Sequence, residues 1–267
     1  MIILGLIGIA WTVYRMKARD IRMKTELRAA HDAQMSIMPQ SDPEIEGLDV
    51  SGICIPANEV GGDFFDYLWL NKEKTRFGIA IGDVSGKAMK SAMAAVMTNG
   101  MINSKADEEI SVSQIMTMLN RPMMQKTDKN MFTALCLVSI DLNDKKLTFT
   151  NAGLDQPLLK SGNTVSLLES VGPRFPLGTV PDTIYQERDV QLKAGDTLVL
   201  YTDGLSETRD HSKALYGAER LKTLLETINT PILPASEIKA QIIADVQRFA
   251  KKARQFDDMT IVIVKLV

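Results

Sequence analysis

The sequence has few of the residues that bind soft metals or form disulfides, with two histidines and two cysteines in 267 residues. It contains no C-x-x-C pair and no histidine-rich stretch, which excludes the usual sequence patterns of zinc sites. Cys54 and Cys136 both lie in apolar, strand-like runs. We therefore interpret them as buried, reduced thiols of a cytosolic protein rather than as a disulfide.

The sequence also lacks an excess of either charge. Its formal net charge is −2, so there is no basic footprint and nucleic acid is not expected as a partner. Hydrophobic residues make up 45% and charged residues 24% of the chain, which is the composition of a globular protein. The length suits one large domain with a small appendage.

The one apolar run of any length is residues 1–14, which a cluster of basic residues follows. It is shorter than the roughly 20 residues that span a bilayer. A signal peptide would carry its positive charge before the run, whereas here the charge comes after it. We interpret residues 1–14 as a partial transmembrane segment whose cytosolic side is C-terminal. An amphipathic or buried terminal helix is the alternative.

Residues 15–40 are predicted to form a helical linker, because they are polar and lack proline and glycine until Pro39. One set of positions recurs at alternating spacings of four and three: Met16, Asp20, Met23, Leu27, Ala30, Gln34 and Ile37. This spacing is typical of a coiled-coil seam, which its two polar members weaken. We expect a dimerising signalling helix; a single helix that lies on the following domain is the alternative.

Residues 41–267 are predicted to contain many short strands and segregated helices, which favours an α+β fold of two packed antiparallel sheets flanked by helices. Within it, 64–70 and 76–83 are predicted to form a hairpin, 132–169 a meander, and 185–192 with 196–202 a second hairpin. Helices are predicted at 88–102, 112–124, 218–228 and 236–253.

Aspartate stands at the ends of four apolar runs. The stretches are G-G-D-F-F-D-Y around Asp63, G-D-V-S-G-K around Asp83, Y-T-D-G around Asp203, and D-D-M-T at Asp257 and Asp258. One such aspartate is an ordinary turn residue. Four of them, in a chain poor in histidine and cysteine, suggest an all-oxygen site for the hard divalent cations Mg²⁺ or Mn²⁺.

Asp83 is the centre of this pattern. Phe77, Ile79 and Ile81 alternate with small residues and predict a strand that stops at Asp83. At such a strand-to-helix turn, the Asp83 carboxylate and the Val84 carbonyl can face one point. Glycines on either side of the turn allow close approach of the backbone to a ligand.

In this order, the four motifs resemble those of the bacterial PP2C-like serine phosphatases of the SpoIIE/RsbU type. The stretch Q-M-S-I-M-P at residues 34–39 resembles the Q-x-S-L-L-P that opens the catalytic domain of that family. The resemblance runs from about Gln34 to the C-terminus. It implies a four-layer αββα sandwich for residues 41–267.

The resemblance also implies a site for two divalent cations, Mn²⁺ or Mg²⁺, with a metal-activated water as nucleophile. The positions that match ligands of the family are Asp63, Asp83, Val84, Asp203 and Asp257, with Asp258 as the alternative one residue along. Asp83 matches the ligand that bridges both ions, and Val84 would contribute its carbonyl. Asp66 is the alternative to Asp63 for one of these ligand positions.

Two positions depart from the family pattern. Ala88 replaces a second glycine after Gly86, and Leu154 stands where the family often has histidine. Neither change touches the carboxylates, so we still expect activity. No arginine matches the phosphate-clamping arginine of eukaryotic relatives; Arg174 and Lys87 are candidates for that role.

The resemblance implies a metal-dependent protein serine/threonine phosphatase that acts on a phosphorylated STAS-type anti-sigma-factor antagonist. Such an enzyme would form a homodimer. An upstream sensor would control it through its N-terminal helix. Its catalytic domain would be cytoplasmic, anchored at the inner face of the membrane. The alternative is a catalytically silent PP2C-like module that sequesters a signalling partner.

Overall fold

The computed structural model describes residues 2–86, 89–106, 108–251 and 253–267. Within them the chain forms six helices and ten strands. The helices are α1 (Ile2–Ser36), α2 (Met89–Ala106), α3 (Val112–Lys126), α4 (Asp203–Ser206), α5 (Ala218–Thr227) and α6 (Ala235–Ala250). The strands are β1 (Leu48–Ile55), β2 (Phe64–Trp69), β3 (Arg76–Val84), β4 (Thr133–Asp141), β5 (Lys146–Ala152), β6 (Leu158–Ser161), β7 (Thr164–Leu167), β8 (Arg188–Gln191), β9 (Thr197–Tyr201) and β10 (Met259–Leu266).

The strands form two five-stranded sheets, in the orders β1-β10-β9-β6-β7 and β2-β3-β4-β5-β8. Every neighbouring pair is antiparallel. Helices α5 and α6 pack on the first sheet, and α2 and α3 pack on the second. The predicted α+β sandwich of two antiparallel sheets flanked by helices is therefore confirmed.

Strand β10 shows how the layers are held together. Val262 and Val264 belong to the larger hydrophobic cluster that includes both sheets, whereas Ile261 and Ile263 belong to the cluster under α5 and α6. All eight residues of β10 are buried. Full burial of one such side chain is worth roughly 1.5–3 kcal/mol. A strand covered on both faces is largely apolar, and the polar residues of β10, Thr260 and Lys265, are both hydrogen-bonded.

Two predicted pairings are wrong. The meander breaks after Ala152, because β6 and β7 join the other sheet, where β6 pairs with β9. Asn151 shapes this crossing: its side chain accepts a hydrogen bond from the Leu154 amide (2.8 Å) and donates to the Leu154 carbonyl (3.2 Å). Likewise β8 pairs with β5 and β9 with β10, so these two strands do not form a hairpin.

Helix α1 is continuous from Ile2 to Ser36, so the apolar start and the polar linker form one element. Among the described residues, no helix has both the length and the apolar character to cross a membrane, and the predicted membrane segment finds no support there. The seam positions Met16, Asp20 and Met23 are exposed, whereas Gln34 is buried against the domain. The last turns of α1 therefore lie on the domain.

Both cysteines are free thiols, as predicted. Cys136 is buried in β4, and Cys54 is half-buried in β1. Burial raises the pKa of both thiols above the usual value, so neither has the character of a reactive thiolate.

Candidate metal centre

The predicted site residues meet where the two sheets end side by side. Asp63 immediately precedes β2 and Asp83 lies at the end of β3, both in one sheet. Asp203 follows β9, and Asp257 and Asp258 precede β10, in the other sheet. Their charges act on one another, since Asp203, Asp257 and Asp258 all affect the Asp83 carboxylate. The fold thus gathers all five carboxylates at one edge of the sandwich.

Asp83 occupies the middle of the group. Burial, followed by the charges of Asp203 and Asp257, raises its pKa to about 7. The neighbouring Val84 amide donates to the Gly62 carbonyl over 3.2 Å, which fixes the end of β3. A Cβ at Gly62 would collide with the Val84 carbonyl oxygen and lie 3.1 Å from Asp83 Oδ1. Only glycine therefore fits beside these two oxygens.

Asp203 begins α4 directly after β9. Burial, followed by Asp257, Glu207 and Asp155, raises its pKa to about 6. Asp155 accepts a 2.6 Å hydrogen bond from Ser206 Oγ, which places this loop beside the centre. The motifs did not predict a role for Asp155 or Glu207, although Glu207 ends the stretch Y-T-D-G-L-S-E and Asp155 follows the departure from the family pattern at Leu154.

Asp63 plays a different role from Asp203. It is 1% exposed, and its Oδ2 accepts hydrogen bonds from Thr202 Oγ1 and Thr260 Oγ1, both at 2.7 Å. Burial and the Asp83 charge raise its pKa well above the usual range. One oxygen of Asp63 is thus committed to tying the two sheets together. Asp66, its competitor, accepts bonds from Asn103 Nδ2 and its neighbouring amide instead (both 2.8 Å).

Asp257 and Asp258 are also distinguished by their contacts. The Asp258 carboxylate is buried and accepts from the amides of Ala57 and Gly62, both at 2.8 Å, and of Asp63 at 3.4 Å. Asp257 is exposed and acts electrostatically on Asp83 and Asp203. Asp258 is therefore placed to hold the 57–63 loop, whereas the charge of Asp257 acts on the other carboxylates.

Gln34 is a supporting residue whose role the sequence did not reveal. Its Nε2 donates to the Gly61 carbonyl (2.8 Å) and its Oε1 accepts from the Gly61 amide (3.2 Å). Gln34 is 4% exposed, so these bonds are shielded from water. The opening motif at residues 34–39 was the only signal, and it pointed to a domain boundary rather than to this contact.

A cleft of about 550 Å³ opens over the centre. Asp83, Asp257 and Asp258 line it, together with the glycine loop at 61–62 and Leu27 of α1. Among the residues that the structure describes, the only basic side chain that lines this cleft is Arg254. Lys87, one predicted candidate for binding phosphate, lies outside the described residues.

A family model described as Stage II sporulation protein E (SpoIIE) matches residues 73–267. The chain belongs to this family. The resemblance to SpoIIE/RsbU-type serine phosphatases that the motifs predicted is thereby confirmed.

Two curated relatives and one solved structure illustrate the match. Phosphoserine phosphatase RsbU of Bacillus subtilis is 30% identical over 76% of this chain and 60% of its own length. Protein IcfG of Synechocystis sp. is 25% identical over 95% of this chain and 43% of its own length. The chain thus spans less than two thirds of these relatives. The SiaA-PP2C domain of Pseudomonas aeruginosa shares the fold, with a TM-score of 0.82, 21% identity, and coverage of 94% of this chain and 99% of that one.

The residues of this SpoIIE-family centre suit hard divalent cations. The donors are carboxylates and a backbone carbonyl, and the cradle at Gly62 leaves no room for a side chain. In the described part of the chain, no three His, Cys, Asp or Glu side chains close tightly enough around one point to hold an ion as they stand. Mg²⁺ needs no such cage, since it is commonly bound through one or two carboxylates and keeps several waters. The donor set therefore fits.

The raised pKa values predict how pH acts on the metal-free protein. Asp83 and Asp203 bind protons more tightly in the folded than in the unfolded state, so their stabilising contribution is lost as pH rises through about 7 and about 6, respectively. The wild type should therefore lose this contribution between pH 5 and pH 8, whereas Asp83→Asn should not. In EDTA, the stability of Asp83→Asn relative to the wild type should increase from pH 5 to pH 8. Thermal unfolding at both pH values measures this. An equal difference at the two pH values would contradict it.

A second prediction concerns the adjacent aspartates. Asp257→Asn should weaken Mn²⁺ binding by about tenfold or more with little change in unfolding free energy. Asp258→Asn should instead cost about 1–3 kcal/mol of stability, because three backbone amides bond to that carboxylate. Calorimetric Mn²⁺ titration and urea unfolding of both variants test the assignment. The reverse order would move the ligand to Asp258.

Proposed function

We propose that this chain is a metal-dependent protein serine/threonine phosphatase, a phosphoric monoester hydrolase that uses two divalent cations, Mn²⁺ or Mg²⁺. The observation that carries the proposal is the gathering of Asp83, Asp203 and Asp257 at one edge of the two sheets, where the charges of Asp203 and Asp257 act on the Asp83 carboxylate. The name of RsbU, a phosphoserine phosphatase, supports the same reaction class.

In this proposal Asp83 would be the ligand common to both ions, and the Val84 carbonyl, Asp203 and Asp257 would complete the protein ligands. Asp63 and Asp258 are the remaining candidates, and each accepts hydrogen bonds from donors that are distant in the sequence. Two bound cations would lower the pKa of a shared water and neutralise phosphoryl oxygens. The protein itself then needs no nucleophilic side chain.

The chain's own residues prepare the centre in three ways. Asp63 bonds the two threonine hydroxyls and so fixes the sheet ends relative to each other. Asp258 and Gln34 hold the glycine loop from opposite sides. Close packing of carboxylates raises the free energy of the metal-free centre, which favours binding of cations.

The first test is hydrolysis of p-nitrophenyl phosphate by the whole chain, with and without Mn²⁺. Asp83→Ala should reduce kcat by about 10³-fold or more, because both ions lose a ligand. Asp66→Ala is the matched control, since Asp66 belongs to the same motif as Asp63 but bonds to Asn103. Metal-dependent turnover that survives Asp83→Ala at the wild-type rate would exclude this centre as the active site.

We infer from the relatives that the substrate is a phosphoserine of a STAS-type anti-sigma-factor antagonist, in a pathway of sigma-factor regulation. One structural neighbour combines RsbU and RsbW domains in a Mycobacterium tuberculosis chain, which supports signalling through a protein partner. Dephosphorylation of a phosphorylated STAS domain, compared with an unrelated phosphoserine protein, distinguishes this substrate from a general protein phosphatase. Equal rates on both would contradict it.

Residues 15–40 are proposed to receive the regulatory signal. Gln34 connects α1 to Gly61, and Leu27 lines the cleft, so a shift of α1 would reach the centre directly. The exposed seam residues Met16 and Met23 are proposed to form a homodimer contact. In the cell, residues 1–14 would place the cytoplasmic catalytic domain at the membrane.

The dimer proposal has its own test. Met23→Glu should convert a dimer to a monomer, because it places a charge in the apolar seam. Lys17→Glu is the control, since residue 17 lies beside the seam rather than in it. Light scattering measures the mass of both variants. A monomeric wild type, or a dimer that persists in Met23→Glu, would contradict the seam.

The second candidate is the catalytically silent module. It is kept because no three acidic, histidine or cysteine side chains in the described part of the chain enclose an ion as they stand, although Mg²⁺ does not require such a cage. Absence of turnover on both p-nitrophenyl phosphate and a phosphorylated STAS domain, together with retained binding of that domain, would favour it over the phosphatase.

A further inference from the structure

The cleft over the metal centre carries an unusual balance of charge. Its described lining includes the acidic residues Glu59, Asp83, Asp257 and Asp258. A phosphate monoester brings about two more negative charges at neutral pH. Bound cations would offset part of the repulsion between the phosphate and the acidic lining. Part of their charge, however, is already balanced by the carboxylates that bind them. A positively charged side chain in the cleft would therefore strengthen the binding of a phosphate.

Arg254 is the one basic residue among the described residues that line the cleft. It lies on the loop between α6 and β10, three positions before Asp257, so the loop that carries a proposed ligand also carries the arginine. Arg254 is exposed, and its Nη2 donates a long hydrogen bond of 3.4 Å to Oδ1 of Asn58, which also lines the cleft.

Arg254 does not neutralise the carboxylates around it. None of the ion pairs found among the described residues includes it, although several aspartates line the same cleft. A guanidinium has five N–H donors in a planar fork, which matches two oxygens of a phosphoryl group. The single long bond to Asn58 leaves most of this fork for a ligand.

The other arginines near the centre are placed differently. Arg174, the candidate from the sequence, donates to the Leu154 carbonyl and does not line the cleft. Arg209 lies over the Phe256 ring, with its Cζ 6.0 Å from the ring centroid. It lines an adjoining cavity of about 270 Å³, which Arg254 and Asp257 also line, but it does not line the cleft.

We propose that Arg254 binds the phosphoryl oxygens of the substrate and holds the phosphate over the metal centre. The role of Arg254 in catalysis rests on the proposed phosphatase function. The phosphate site itself depends on Arg254 and does not require turnover. Charge-assisted bidentate bonds of this kind are among the strong hydrogen bonds in proteins.

The test is calorimetric titration of inorganic phosphate into the whole chain in the presence of Mg²⁺. Arg254→Ala should weaken phosphate binding by about tenfold or more, and Arg254→Lys should restore part of the loss because it keeps the charge without the fork. Arg209→Ala is the control for general charge, since Arg209 lies outside the cleft. Its phosphate affinity should equal that of the wild type.

Three results would overturn the proposal: no phosphate binding by the wild type at millimolar concentrations, wild-type affinity in Arg254→Ala, or an equal loss in Arg209→Ala. A parallel Mg²⁺ titration without phosphate should give the same affinity for Arg254→Ala and the wild type, because Arg254 contacts phosphate rather than the ions. A loss of Mg²⁺ affinity in Arg254→Ala would show a structural role instead.

Turnover separates this inference from the proposed function. With p-nitrophenyl phosphate, Arg254→Ala should raise KM by about tenfold. If the wild type binds phosphate through Arg254 but hydrolyses nothing, the phosphatase proposal fails and the phosphate site remains. If the wild type hydrolyses the ester and Arg254→Ala has unchanged KM and phosphate affinity, the phosphatase remains and Arg254 is excluded.

Discussion

The buried Asp63 carboxylate is the contact on which the rest of the centre depends. It accepts hydroxyl bonds from Thr202, after β9, and from Thr260, in β10, while Asp63 itself leads into β2 of the opposite sheet. These bonds cross between the two sheets at the edge where the acidic residues lie. The hydrophobic core already holds the two sheets together, and these bonds fix how the sheet ends, with their carboxylates, lie relative to each other.

The glycine loop at 61–62 lines the cleft beside this contact between the sheets. Asp258, the residue before β10, bonds to it from one side, and Gln34 bonds to it from α1. A side chain at either glycine would collide with Asp258 or with the Val84 carbonyl. The loop can therefore lie against the end of β3 only because it lacks side chains. The same contact makes α1 part of the site rather than a separate appendage.

The centre combines two opposing demands. Burial and mutual repulsion raise the pKa values of Asp83 and Asp203, so the metal-free carboxylates are poorly suited to being fully charged together. A bound cation removes the repulsion between the charged carboxylates. The free energy that this repulsion costs the metal-free centre therefore adds to the affinity for the cation. An arginine near the same carboxylates would compete with the cation if it paired with them. Arg254 lies on the cleft wall without such an ion pair among the described residues, which is consistent with a role toward an anionic ligand.

The sequence by itself determined the strands and helices of the catalytic part, the acidic ends of those strands, and the family. It could do so because burial of one face or of both imposes a local period on the chain, and because the motifs are short and ordered. The preference for Asp257 over Asp258 as a ligand also came from the motif, and it stays a prediction.

Only the tertiary structure decided the pairing of strands and the partners of the polar residues. The β8 and β9 strands looked like a hairpin because a short turn separates them, but each finds its neighbour in a different sheet. The bond of Gln34 to Gly61 and the place of Arg254 in the cleft join residues that are far apart in the chain or lie outside any motif. Local periodicity carries no information about such contacts, because they are selected by the packing of whole layers against one another.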